Sequence, residues 1–245
     1  MSYFKQFPSS LYTFANGERA SVQNISAYVE IIDEIKTNSS YYHNYYIRNG
    51  DRADNVSYEL YESPLLHWTF FMMNDHLREF GWPLDHIEIV KKAKKDFPFT
   101  TLSTEDVIPA SFTVGSIIKS MQSSDNNPSN AEGKIVSYDL DLGHIVIEPI
   151  DNKTFKSTDI VNVVGQTDTV QLKAVEPQYL SAHHYLHEDH MYTNKSDLPD
   201  QSTYVEVTNL DFYTQKNEEN RQIIVLKSSS INRVVQLFKE AIRTQ

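Results

Sequence analysis

Apolar residues at Val22, Ile25, Tyr28, Val29, Ile32 and Ile35 leave Glu30, Asp33 and Glu34 off their stripe. That spacing predicts an amphipathic helix over 21–36, capped by Ser21 and stopped by Asn38-Ser39-Ser40. Residues 1–20, with Phe7-Pro8 and Asn16-Gly17, read as an extended arm with turns. Such an arm is either a frayed terminus or a segment that orders on a partner. Tyr41 to Ile47 predicts a Tyr-rich strand ending at the turn Asn49-Gly50-Asp51. Two helices follow, one over Ala53–Tyr61 and one opened by Ser63 as cap and Pro64 at the first helical position. The second carries Leu65, Leu66, Trp68, Phe70, Phe71, Met72 and Met73, apolar almost all round, as expected of a helix in a core or against another chain. After Gly81-Trp82-Pro83, a third helix from about Asp85 presents Ile87, Val90 and Ala93. Lys91, Lys92, Lys94 and Lys95 lie near its C-terminal end, where positive charge suits the helix dipole; they form either a solvated face or a patch for an acidic partner.

From Thr100 the pattern shortens into strand-like runs: Phe112–Gly115, Gly133–Tyr138, Gly143–Glu148 and Thr154–Val164. Turn residues separate them, which predicts a small, mostly antiparallel β-barrel or sandwich inserted at 101–175. Residues 176–202 are polar, hold four His, and read as an irregular connector. The alternation in Tyr204–Tyr213, the turn Asn217–Asn220 and the apolar run Gln222–Leu226 predict a C-terminal strand pair over 203–227. Ser228–Ser230 then caps a helix with Ile231, Val234, Val235, Phe238, Ala241 and Ile242 on one stripe. The fold class is therefore α+β, with an arm to 20, a helical domain over 21–100, the β insertion, the connector, and a closing unit over 203–245.

Composition narrows the chemistry. The net charge of −11 opposes a nucleic-acid binder, which needs a basic surface to displace counterions, and opposes adhesion to anionic membranes. With no cysteine there is no disulfide, zinc-thiolate site or thiol nucleophile. The N-terminus lacks the pattern of a signal peptide, so synthesis in the cytoplasm is expected. The most apolar stretch, Leu65–Met73, is about half of what a bilayer crossing requires.

The His run offers the sharpest candidate chemistry. On a helix, His183 and His187 would share a face at the spacing of two metal ligands, with His190 close by. The HExxH signature is absent, since His187-Glu188-Asp189-His190 is one residue short. Asp139, Asp141, Glu148 and Asp151 sit at expected hairpin tips, where Asp builds turns. No GxSxG elbow and no glycine-rich phosphate loop occurs, so no enzyme activity and no cofactor are expected.

Two stretches resemble known modules. Tyr45-Tyr46-Ile47-Arg48-Asn49-Gly50-Asp51, Leu60-Tyr61-Glu62-Ser63-Pro64, Trp68 and Met73-Asn74-Asp75 resemble a LysM module, a βααβ unit in the version found in phage tail proteins. In LysM the acidic turn residue caps the first helix and the Asn ends the second. Asn217 to Lys227 with the helix after it, taken with the helix at 21–36, resembles the baseplate wedge protein of gene fifty-three in T-even-type myoviruses. His183-His184-Tyr185 is similar to a segment in relatives from marine phages. Together these cover about 20–97 and 203–243.

The resemblance implies a non-enzymatic wedge subunit in the virion tail baseplate. It would join neighbouring wedges into a six-fold assembly, contact other wedge proteins, and lie near a sheath-initiator-like ring protein. Tyr46, Trp68, Phe71, Trp82, Arg221, Ile231, Val235 and Phe238 are the candidate protein-interface residues; core packing is the competing reading for Trp68 and Phe71. A peptidoglycan-binding LysM protein is the alternative function, and a metal-dependent hydrolase built on the His run a third.

Overall fold

The structure, a computed structural model, describes residues 9–23, 36–188, 190–194, 197 and 203–244, the side chains of 241–244 excepted. It mixes helices and antiparallel strands, an α+β chain, in two compact units. One comprises 1–85 with 216–245, the other 86–215. The third helix, expected to close the first domain, instead opens the second unit.

The first unit begins with a hairpin in which β1 (Ser9–Thr13) pairs with β2 (Arg19–Gln23), Leu11 opposite Ser21. Gly17 makes its turn at φ 83°, a conformation that strains residues bearing a Cβ. Ser21 and Val22 are thus strand residues and not the start of a helix. Pairing with Leu11 and Ser10 outranks the helical spacing that they also fit. Ile25, Tyr28, Val29, Ile32 and Ile35 lie outside the described residues; Lys36 and Thr37 are helical.

β3 (Tyr42–Tyr46) leads through the Asn49-Gly50 turn into α1 (Ala53–Tyr61). Glu62, left-handed at φ 55°, ends α1 by donating its N–H to the Tyr58 carbonyl. The Ser63 hydroxyl accepts from the Leu65 N–H and so caps a 3-10 turn, Pro64–Leu66. The expected second helix opens as that turn and continues as α2 (Trp68–Met73); Asn74, in extended conformation, ends it, and a further helix, α3 (Asp75–Phe80), follows. The Asp51 carboxylate accepts from the Arg48 N–H within the turn, and no side chain caps α1.

The partner of β3 is β14 (Gln222–Leu226), antiparallel, with Ile224 opposite Asn44. Both faces of β14 are used. Ile223 and Val225 join Ile47, Val56, Phe70 and Leu77 in one core cluster. Leu226 joins Met73, Ile231, Val234 and Val235 in another, under α6 (Ser228–Thr244). Burying each such side chain contributes about 1.5–3 kcal/mol.

In the second unit, α4 (His86–Asp96) buries Ile89 and Ala93, while Ile87, expected on the inner stripe, is 64% exposed. The strands β4 (Thr100–Ser103), β5 (Ile117–Ser123), β6 (Glu132–Asp139), β7 (His144–Pro149), β8 (Asp159–Val163), β9 (Thr169–Gln171) and β10 (Ala174–Pro177) form one antiparallel sheet. Its order is β10-β4-β7-β6-β5-β8-β9. The edge strands β9 and β10 are neighbours in sequence. Between them Leu172 donates its N–H to Asp159 on β8, and Lys173 donates to Ser103 on β4. One extended segment therefore holds both edges of the sheet, which must curl to meet it. Leu102, Ile118, Ile135, Ile145, Ile147, Val161 and Val170 fill the core. Phe112–Gly115, expected as a strand, is a turn leading into β5.

The stretch 176–202 is not an irregular connector throughout. β11 (Ala182–His187) pairs with β12 (His190–Tyr192) and with β13 (Val205–Thr208), making a three-stranded sheet. β13 pairs with β11 and β14 with β3, so the expected C-terminal strand pair does not exist. Its supposed turn, Asn217–Asn220, is the end of α5 (Asn209–Glu219). The reason is a reciprocal cap: Thr208 donates from N–H and Oγ1 to the Asp211 carboxylate, and the Asp211 N–H donates back to Thr208 Oγ1. That arrangement starts a helix at Asn209, before the strand alternation would end at Tyr213.

Candidate interaction surface

Most of the residues expected at an interface serve the chain's own interior. Ile231, Val235 and Phe238 are buried on the inner face of α6, and the Trp68 ring packs on Phe238 at 5.0 Å. An amphipathic stripe tells which face is covered without telling what covers it; here it is β14 and α2. Phe71 packs against Trp82, whose Nε1–H donates to the Asp51 carbonyl at 2.7 Å. These side chains brace the helices over the Asn49–Asp51 turn.

Arg221 is 3% exposed. Its guanidinium donates to the carbonyls of Ile47 (3.2 Å) and Leu84 (3.0 Å), to Asn49 Oδ1 (3.1 Å) and to Glu218 Oε1 (2.8 Å). A planar fork with several donors can satisfy four acceptors from separate segments at once, which a lysine cannot. Arg221 thus ties the ends of β3 and β14 to the chain at Leu84, and is not available to a partner.

Tyr46 alone of the eight is well exposed, at 54%, with its hydroxyl donating to Glu218. That bond raises the Tyr46 pKa, since ionising the phenol would set it against the carboxylate. Tyr46 lies on β3, whose far edge faces no other strand among the described residues.

Sequence reading missed the N-terminal hairpin as a formed element. Leu11, Tyr12, Phe14 and Val22 are all exposed on it, and Tyr12 and Phe14 meet edge to face at 5.1 Å. The signal was present in the Asn16-Gly17 turn between two short alternating runs.

The histidines lie on strands, so His183 and His187, four residues apart, stand about 13 Å from each other along β11. They cannot share a metal as they would on a helix. His187 instead faces His190 across the β11–β12 hairpin. His183 stacks on Phe212 at 4.1 Å, and its Nδ1 lies 2.9 Å from the Nδ1 of buried His184. Burial lowers the pKa of both rings, and for His183 the neighbouring His184 adds to it. Among the described residues no group of His, Asp and Glu is arranged to hold a metal ion. The carboxylates at the hairpin tips build turns: Asp139 accepts from the N–H groups of Asp141 and Leu142, and Asp151 from that of Lys153. On α4, Lys92 pairs with Asp96 and Lys94 lies over the Tyr179 ring, so half of the lysine cluster is engaged within the unit. No helix among the described residues is long and apolar enough to cross a membrane.

Comparison with known families places residues 15–134 on the model described as Base plate wedge protein 53. The chain belongs to that family. It is a phage base plate wedge protein, a structural component of the virion tail base plate. The matched range takes in β2, β3, all of α1 to α4, and the sheet of the second unit as far as β6. Part of the β insertion therefore lies within the range shared by the family, beyond the end at 97 that the resemblance gave. The C-terminal segment that carries β14 and α6 lies outside the match. No curated protein matches the chain.

Proposed function

We propose that this wedge protein links neighbouring wedges during base plate assembly, with its first unit as the docking body. The family match over 15–134 carries this reading. A supporting feature is the N-terminal hairpin, on which Leu11, Tyr12, Phe14 and Val22 are exposed. On this reading β3, α1, the α2 region and β14 form a LysM-like βααβ unit whose second strand is supplied after the whole second unit. The seven-stranded sheet of the second unit is a small barrel closed by the segment 169–177. The partners are other wedge proteins and adjacent wedges of a six-fold ring, near a sheath-initiator-like ring protein, after synthesis in the host cytoplasm. Tagged chain recovered from infected cells should bring down other tail proteins in fixed ratio, counted by mass spectrometry. Recovery of the chain alone would sink the assembly role.

The strand–helix–helix–strand order also favours a second reading, LysM-type binding to peptidoglycan. Co-sedimentation with purified cell wall supports that reading, and its absence removes it.

A further inference from the structure

The two edges of the β3–β14 sheet are treated differently. Ile47 donates its N–H to Arg221, and Lys227 donates to Tyr41. Those bonds set the phase of the ladder, so the odd-numbered residues of β3 face β14 and Tyr42, Asn44 and Tyr46 turn their backbone groups away. On the far side of β14, the Asn74 amide pairs with both backbone groups of Ile224, and the Tyr61 hydroxyl donates to the Leu226 carbonyl. That edge is closed. Among the described residues nothing hydrogen-bonds to the outward backbone groups of Tyr42, Asn44 or Tyr46. β3 also carries no lysine, no proline and no bulge, the usual devices that keep an edge from pairing.

The hairpin Ser9–Gln23 has the complementary property. Among the described residues its hydrogen bonds are internal, and every residue of β1 is exposed, Leu11 at 77%. The bond from the Phe14 N–H to Glu18 sets its ladder, which leaves Ser9, Leu11 and Thr13 facing outward from β1. An isolated two-stranded hairpin is marginally stable in water and gains from a third strand. The hairpin carries one Glu and one Arg, hence no net charge, in a chain of net charge −11. It can approach a second copy with less repulsion than the acidic remainder of the surface.

We propose that β1 of one copy adds to the open edge of β3 in a second copy, forming a four-stranded intermolecular sheet. This rests on the wedge reading above. A single added strand falls well short of the ~1,200 Å² buried by a stable two-chain interface, so one such contact is weak. Hairpin to edge is a head-to-tail contact, and such contacts close into rings when repeated about an axis.

The cysteine-free chain allows a direct test. Leu11 and Asn44 are the central outward positions of their strands, so they face each other when β1 runs antiparallel to β3 in a centred register. Opposed residues have Cα atoms about 5.5 Å apart, within disulfide reach. Full-length Leu11→Cys and Asn44→Cys chains, tagged differently, are mixed and oxidised, alone at high concentration and in assembled base plates. The expected result is a disulfide-linked heterodimer found only in the mixture, and a ladder of multimers from the double variant. Asn44→Pro removes an N–H that the β14 ladder does not use. It should keep the melting temperature while weakening concentration-dependent self-association at least tenfold in sedimentation.

A double variant that oxidises within one chain, a bond to a different tail protein, or no bond under either condition overturns the proposal. Tail proteins recovered without the cross-link would retain the wedge role and remove strand exchange. The cross-link without tail proteins would retain the exchange and remove the wedge role.

Discussion

The side-chain amide of Asn74 pairs with the backbone of Ile224 as a neighbouring strand would, Nδ2 donating to the carbonyl at 2.8 Å and Oδ1 accepting from the N–H at 2.9 Å. Asn74 also ends α2, where its backbone N–H and its Nδ2 both donate to the Phe70 carbonyl. One buried residue thus stops a helix and closes a sheet edge. Asn74→Ala leaves two buried backbone groups without partners, at about 1–3 kcal/mol each. Asn74→Asp should cost at least as much, since a carboxylate would face the Phe70 and Ile224 carbonyls. Urea denaturation of both variants checks this; a loss under about 1 kcal/mol would show that water replaces the amide.

Arg221 should tolerate no substitution, Lys included. Truncating one partner of a buried, hydrogen-bonded charge network costs about 3–5 kcal/mol, and Arg221→Lys keeps the charge while losing the fork. Thermal unfolding of Arg221→Lys and Arg221→Met should show a large fall in midpoint for both. A Lys variant within a degree or two of the parent would contradict the four-acceptor geometry.

Gly143 sits at φ 64°, and a Cβ there would lie 2.3 Å from the Thr104 carbonyl oxygen, which is backbone and cannot move aside. That residue also accepts the Thr104 N–H, which locks the β6–β7 turn to the end of β4. Gly143→Ala is expected to destabilise the second unit by more than the ~1 kcal/mol of a left-handed residue alone. Hydrogen exchange at Thr104 and Ile145 should rise well before exchange in β3 and β14; unchanged protection would refute this.

Acid should weaken the second unit first. Burial lowers the pKa of His144, and of His183 and His184, from the usual 6.5. A base whose folded pKa is depressed binds fewer protons folded than unfolded. Its contribution is then complete above about 6.5 and is lost as pH falls through the folded value. Denaturation midpoints should fall between pH 7 and pH 5, and the paired substitutions His183→Gln and His184→Gln should flatten that slope. A profile flat over the range, or unchanged by the pair, would count against a role for these rings.

What local chemistry decides was legible without the fold. The Ser63-Pro64 start, the Asn49-Gly50 turn, α1 over Ala53–Tyr61, β14 over Gln222–Leu226 and the α6 stripe each depend on residues within a turn or two of themselves. The family resemblance was legible for the same reason, being carried by those short patterns. Where two local patterns compete, the residues alone do not choose between them. Thr208 and Asp211 cap a helix inside an alternating run, and Ser21-Val22 fits both a helix stripe and a strand.

The tertiary structure alone decided which strand pairs with which and which apolar face is already covered. β14 could have paired with β13 next to it in sequence, yet it pairs with β3 across the whole second unit. Nothing in the alternation of five residues names a partner, because register and pairing depend on long-range burial. For the same reason Ile231, Val235 and Phe238 read as docking residues until β14 and α2 were seen to cover them, while the open edge of β3 became visible only once its other side was occupied.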